Sequence, residues 1–266
     1  MSHPPQLSVV LPCYNEARGI TAILKKFAEA GAGSDFELIL VNNGSRDDTP
    51  QVLSELLPCY KFARSVRVEV NQGYGHGLWT GLQAARGEVL AWSHADLQTD
   101  PADVFRALKT YRQANRPAKT LVKGRRYGRR ASEKIVSLGM GIVASTIFRT
   151  RMSEINAQPK VFHRDLLAHL SQPPIDFNFD VYVLVQAKRH GWQIQTIPVR
   201  FPPRQYGHSN WARTWRSKFR TISRSMKYMA ALGWGGNAPP GFSAETKVNV
   251  EDRLIAKYES HQRQAA

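Results

Sequence analysis

A carboxylate, an amide oxygen and an imidazole fall at alternate positions of the segment SHADLQTDP, as Asp96, Gln98 and His94. On an extended backbone, alternate side chains point the same way, so the three suit coordination of Mg2+ or Mn2+ bridging a diphosphate. A cation held there acts as a Lewis acid on the leaving group. The same run also reads as a helix start, because Asp100-Pro101 and Asp103 precede a helix-spaced stretch at 104–111. Asp103 is assigned to that capping role, while both readings stay open for Asp100.

These residues need a frame that delivers them to one place. Residues 7–11, 36–41, 65–70 and 89–92 are short, rich in Val, Leu or Ile, and bounded by turn residues, which predicts buried strands. Between them, residues 17–30, 49–57 and 75–85 carry apolar side chains at helical spacing. Strands and helices alternating in this way imply βαβ units and a mostly parallel sheet. Directly after the four strands come CYNE, NNGSRDDT, NQGYGHG and SHADLQTDP. They mark the carboxyl edge of an open parallel sheet, where such folds bind ligands.

The second half runs through a basic loop, KGRRYGRRASEK, and an apolar helix near 135–148, then INAQPKVFHRDLL and a helix in FNFDVYVLVQAKRHG. A strand at 192–201, the segment PPRQYGHSNW and a long helix from about residue 211 follow. Trp211, Trp215, Phe219, Ile222, Met226 and Met229 form one apolar stripe on that helix, with Arg213, Arg216, Arg220, Arg224 and Lys227 opposite. Such a helix suits an anionic lipid surface, and a core-facing helix with a solvated basic back fits the same spacing. The expected boundaries are a catalytic domain at 5–210, the amphipathic helix at 211–231 and a poorly ordered tail at 232–266.

Composition narrows the partners. The 266-residue chain carries a formal net charge of +16, so nucleic acid, an anionic membrane or a phosphorylated substrate are the classes to separate. No zinc pattern, aromatic RNA-binding signature or repeat supports nucleic acid, and the charge gathers in the second half. Two cysteines, Cys13 and Cys59, are too few for a disulfide framework and point to a reducing cytosol. No basic leader precedes an apolar run, and no window of about 18 apolar residues reads as a membrane span.

Taken in order, PCYNE, NNGSRDDT, HADLQ and RQYGHS resemble the family 2 glycosyltransferases over about residues 6–210, in particular the dolichol-phosphate mannose and glucose synthases and bacterial polyprenyl-phosphate glycosyltransferases. The resemblance implies a GT-A fold, Rossmann-like, with a mostly parallel sheet flanked by helices. It also implies inverting transfer from a nucleotide-diphosphate sugar with Mg2+ or Mn2+. Carried over, Pro12, Tyr14, Asn15 and Glu16 lie against the base and ribose, and Asn43 stands where an Asp contacts the base. Asp96 and Gln98 match the metal-contacting positions, His94 replaces the first Asp of the Asp-x-Asp motif, and Arg204 closes over the diphosphate.

The resemblance further implies that Arg126, in the GxRY frame, holds an acceptor phosphate, with Lys134 and Ser137 as further candidates. A phosphate acceptor is already a nucleophile at neutral pH, whereas a hydroxyl acceptor needs a general base. Asp180 is the candidate base, and an acid complementing the dipole of its own helix start is the other reading of that residue. The expectation is a peripheral enzyme at the cytoplasmic face of a membrane, acting on a polyprenyl phosphate. A hydroxyl-acceptor transferase of the same fold and a basic nucleic-acid-binding module are the alternatives.

Overall fold

The computed structural model describes residues 3–202 and 215–233. Its elements are β1 (Leu7–Cys13), α1 (Ala17–Ala30), β2 (Phe36–Asn43), α2 (Thr49–Leu56), β3 (Ala63–Val68), α3 (Tyr74–Ala84) and β4 (Val89–Trp92). There follow α4 (Ala102–Arg112), β5 (Thr120–Tyr127), α5 (Ala131–Phe148), β6 (Lys160–His163), α6 (Phe179–Arg189), β7 (Gln193–Arg200) and α7 (Trp215–Gly233).

The strands form one sheet in the order β3-β2-β1-β4-β6-β5-β7. Pairings among β1, β2, β3 and β4, and between β5 and β7, are parallel; β6 runs antiparallel to both β4 and β5. The period of two along each strand divides the core between the faces. Val10, Ile39 and Val41 pack on one face with α3 and α6, and Val9, Leu11, Leu38 and Leu40 on the other with α1 and α4. The buried stripe of α1, Ile20, Ile23, Leu24 and Phe27, is the helical repeat expected from the sequence. Gly81 lets α3 lie close on the sheet, because a Cβ there would strike the side chains of Val10 and Val41.

At the amino edge, the buried Glu37 carboxylate ties three elements together. It accepts from Ser8 Oγ at 2.7 Å, the Arg86 backbone N–H at 2.7 Å and Arg64 Nε at 2.9 Å. Burial alone would raise its pKa, but the hydrogen bonds from Ser8, Arg86 and Arg64 hold it below 4.5.

Three local expectations change. The basic stretch expected as a loop is strand for its first half, since β5 runs to Tyr127 and pairs with β7 along its whole length. Backbone pairing inside the sheet outweighs the poor strand preference of its charges. The helix expected near 135–148, in a chain where no membrane-span window was expected, is the 18-residue α5, long and apolar enough to cross a membrane by length and composition; 11% of it is buried. One side of α5 meets the body through Gly141 and Ala144, while Ile135 (69% exposed), Leu138 (65%) and Ile142 (57%) form an outward stripe. The apolar stripe of α7 divides as well, with Met229 buried in the core and Phe219 and Met226 exposed. Trp211 and the tail from residue 234 lie outside the described residues.

Candidate active site

The loops after β1, β2 and β3 are laced together at the carboxyl edge. Asn15 adopts the left-handed conformation (φ 57°). Its N–H donates to Ser45 Oγ at 3.1 Å, and its Oδ1 accepts from Arg46 N at 2.8 Å. Glu16 N donates to Thr49 Oγ1 at 2.9 Å. Gly44 (φ 68°) allows the turn, since a Cβ there would collide with the backbone of Asn71. Asn43 is buried and donates through Nδ2 to Gly73 O at 2.9 Å, while its Oδ1 has no hydrogen-bond partner. Pro12, Tyr14 and Glu16 are half-buried along this edge and Asn15 is exposed.

The fourth loop completes the edge by a turn. β4 ends at Trp92, and Asp96 Oδ1 accepts from Gln98 N at 3.1 Å around Leu97, whose φ is 59°. The extended geometry expected for His94, Asp96 and Gln98 is therefore replaced by a side-chain-closed turn. Asp96 is buried, and Gln98 Nε2 donates to Pro202 O at 3.0 Å. The His94 ring packs edge-on against Phe201 at 6.3 Å between centroids. Asp100 Oδ1 accepts from Ala102 N at 3.0 Å, which favours the helix-start reading of that residue. Arg204, two residues beyond Pro202, lies outside the described residues.

The donor set is compatible with a divalent cation. Among the described residues no group of three or more His, Cys, Asp or Glu side chains could hold a metal unaided. One carboxylate and one side-chain amide, from Asp96 and Gln98, is the donor count of a site that substrate phosphates and water complete, a common arrangement for Mg2+.

A second cluster brings together Arg126 and Ser137, two of the acceptor-phosphate candidates, and adds Arg129 and Glu154, which the sequence did not single out. Arg126 Nε donates to Glu154 Oε2 at 2.8 Å, and Arg129 pairs with Glu154 Oε1. On the other side, Ser137 Oγ accepts from Arg129 Nη1 at 2.7 Å and from Arg126 Nη2 at 3.5 Å. Burial would raise the Glu154 carboxyl, but Arg126 first, and Arg129 with it, hold it below 4.5. The Arg126 guanidinium also lies 5.3 Å from the Phe201 ring centre, so this one ring touches both His94 and Arg126. Lys134 stands exposed, one turn before Ser137. A sequence signal for Glu154 did exist, because it is the sole carboxylate between Glu133 and Asp165.

Asp180 sits deeper. Its carboxylate is buried, paired with the fully buried Lys160 ammonium, and accepts from Gln158 Nε2 at 3.0 Å. Gln158 also donates to the Tyr74 hydroxyl at 3.1 Å, and Lys160 lies over the Trp92 ring at 5.2 Å. Burial pushes the Lys160 ammonium down and Asp180 opposes it.

A mostly parallel sheet flanked by helices, with one reversed strand and its polar loops on one edge, is a GT-A glycosyltransferase fold. The glucosyl-3-phosphoglycerate synthase of Mycobacterium tuberculosis, solved with Mn2+, UDP and glucosyl-3-phosphoglycerate, shares it with a TM-score of 0.67 at 20% identity, over 87% of this chain and 81% of that one. A model of Glycosyl transferase family 2 matches residues 8–160, more than half of the chain, and the chain belongs to that family. Relatives include the glycosyltransferase AglD of Haloferax volcanii, 27% identical over 75% of this chain and 33% of that protein. Another is the undecaprenyl-phosphate 4-deoxy-4-formamido-L-arabinose transferase of Edwardsiella ictaluri, 23% identical over 77% and 62% respectively. The chain thus spans between a third and about three fifths of the length of these relatives.

Proposed function

We propose that the chain transfers a sugar from a nucleotide-diphosphate donor to a polyprenyl phosphate at an anionic, cytoplasmic membrane surface, with inversion at the anomeric carbon. The observation that carries this reading is the Arg126–Arg129–Ser137 cluster at the foot of α5, beside the exposed stripe of Ile135, Leu138 and Ile142. Guanidinium pairs suit a phosphate group, and an adjacent apolar face suits the chain attached to it. The names of the relatives that act on undecaprenyl phosphate agree with it.

In this reading Pro12, Tyr14, Asn15 and Glu16 flank the nucleotide, and the unpartnered Asn43 oxygen accepts from the base. Asp96 and Gln98, with His94 beside them, would hold Mg2+ or Mn2+, which supplies charge neutralisation for the departing diphosphate. Arg204, by the family resemblance, would close over the diphosphate. An acceptor phosphate oxygen forms the new bond to the anomeric carbon as the bond to the donor diphosphate breaks. No proton has to be removed from the nucleophile. Arg126 and Ser137, with Lys134 at the entrance, orient it.

The hydroxyl-acceptor alternative needs Asp180 as base, and a buried carboxylate already paired with Lys160 and Gln158 supports that role less well.

The test combines donor binding with product chemistry. UDP or GDP with Mn2+ should raise the melting temperature of the wild type, and Asp96→Ala should abolish that rise and lower transfer at least about a hundredfold. Farnesyl phosphate should yield a product whose sugar is released by mild acid. No thermal response to any nucleoside diphosphate, or an acid-resistant glycoside as sole product, would sink the reading.

A further inference from the structure

We infer that Glu154, anchored by Lys123, is a positioning residue that sets the two guanidiniums of Arg126 and Arg129 at the spacing an acceptor phosphate requires; the inference rests on the acceptor reading above. Each oxygen of the Glu154 carboxylate takes one arginine, and the Ser137 hydroxyl receives both arginines from the other side. The pair is therefore gripped at two points, which removes the freedom that long side chains ordinarily lose on binding.

The backbone at this point is also unusual. Glu154 has a φ of 46°, a left-handed conformation that is costly for a residue carrying a Cβ. Such a conformation persists when its surroundings over-determine it. Here the Lys123 ammonium donates to Ser153 O at 2.7 Å and Glu154 O at 2.9 Å, fastening both carbonyls of the turn to β5. A chain of contacts thus leads from the sheet through Lys123 to the Glu154 backbone, through its carboxylate to the arginines, and on to α5.

The charge balance points to an anion. Two arginines face one carboxylate, so the cluster keeps a positive surplus where side-chain exposure is only 12% for Arg126, 4% for Arg129 and 16% for Glu154. Arg129 Nε is buried without a hydrogen-bond partner. A pairing made only for stability would leave neither a surplus nor an unused donor. Without Glu154 the two like charges would repel and separate, and the phosphate would have to reassemble them.

Binding of farnesyl phosphate to the full-length chain, followed by calorimetry, tests the inference. Glu154→Ala should weaken it about ten- to a hundredfold, the size of a charge-assisted hydrogen-bond pair, and Glu154→Gln should recover part of the loss. The thermal shift given by UDP with Mn2+ should persist in both variants, which a general structural defect would not allow. If Glu154→Ala fails to fold by circular dichroism, Glu154→Gln and Lys123→Met decide, each expected to weaken the phosphate in the same direction. Affinity unchanged or increased in folded Glu154 variants, while Arg126→Ala loses it, overturns the positioning role and leaves the acceptor reading standing. A wild type that ignores farnesyl phosphate, or an Arg126→Ala variant that binds it normally, overturns both.

Discussion

Asp180 illustrates how neighbours decide what a carboxylate is for. The sequence offered a helix-start acid or a base, and its spacing could not reveal Lys160, twenty residues earlier and fully buried beneath it. Asp180→Asn is expected to destabilise the fold by about 3–5 kcal/mol, because it strands a buried ammonium. Adding Lys160→Met should return most of that loss; a general base would instead show lost activity at unchanged stability, and chemical denaturation with assays separates the two. Lys123 gives a pH signature. Burial first, then the Lys160 and Arg126 charges, push its ammonium from 10.5 to about 7, with Glu154 and Asp180 opposing. A lowered folded pKa means the unfolded chain binds the extra proton between those values, so stability rises with pH across that window. Lys123→Met is expected to flatten the wild-type rise in melting temperature from neutral to alkaline pH. Asp96 and Gln98 stood out in the sequence as candidates because a polar run directly after a strand announces a sheet edge, and Arg126 stood out only through the resemblance of its GxRY frame. Glu154 offered only its isolation as a lone carboxylate, and Lys123 offered nothing, because their contacts join β5 to a loop about thirty residues away.

Among the elements, the strands at 7–13, 36–43 and 89–92 were legible from β-branched runs between turns, and the boundaries hold to within a few residues. β5 and β6 were harder. One ends in basic residues, and the other carries a fully buried lysine at its start, so neither shows the apolar alternation that marks a strand. Their order in the sheet depends on β6 reversing direction, which no local pattern encodes. The amino edge rests on Glu37, which joins β1, β2 and β3 and the start of the β4 approach. Glu37→Gln is expected to cost about 2 kcal/mol, since it weakens charge-assisted bonds to half-exposed arginines. Because the folded carboxyl is held low, its contribution is present above 4.5 and fades as the pH falls through the folded value. Urea titrations at neutral and acid pH should show the variant and wild type converging on the acid side.

For the whole molecule, the net charge of +16 and the outward stripe of α5 act on the same partner if the acceptor is a lipid. Sedimentation with phosphatidylglycerol vesicles should exceed that with neutral vesicles and weaken as salt rises. Ile135→Ser, Leu138→Ser and Ile142→Ser together should abolish the salt-resistant part. The charge was plain in the sequence; the orientation of α5 was not, because its apolar residues run around much of the helix and only the packed fold shows which stay outside. The reversed strand β6 has one more consequence. Loops from β1, β2, β3 and β4 supply the proposed donor half, residues 124–154 supply the proposed acceptor half, and the four-residue β4–β6 ladder is the seam between them. Descent with modification can therefore rewrite one side of the seam while inheriting the other intact, and chimaeras cut on either side of it should exchange acceptors without exchanging nucleotides.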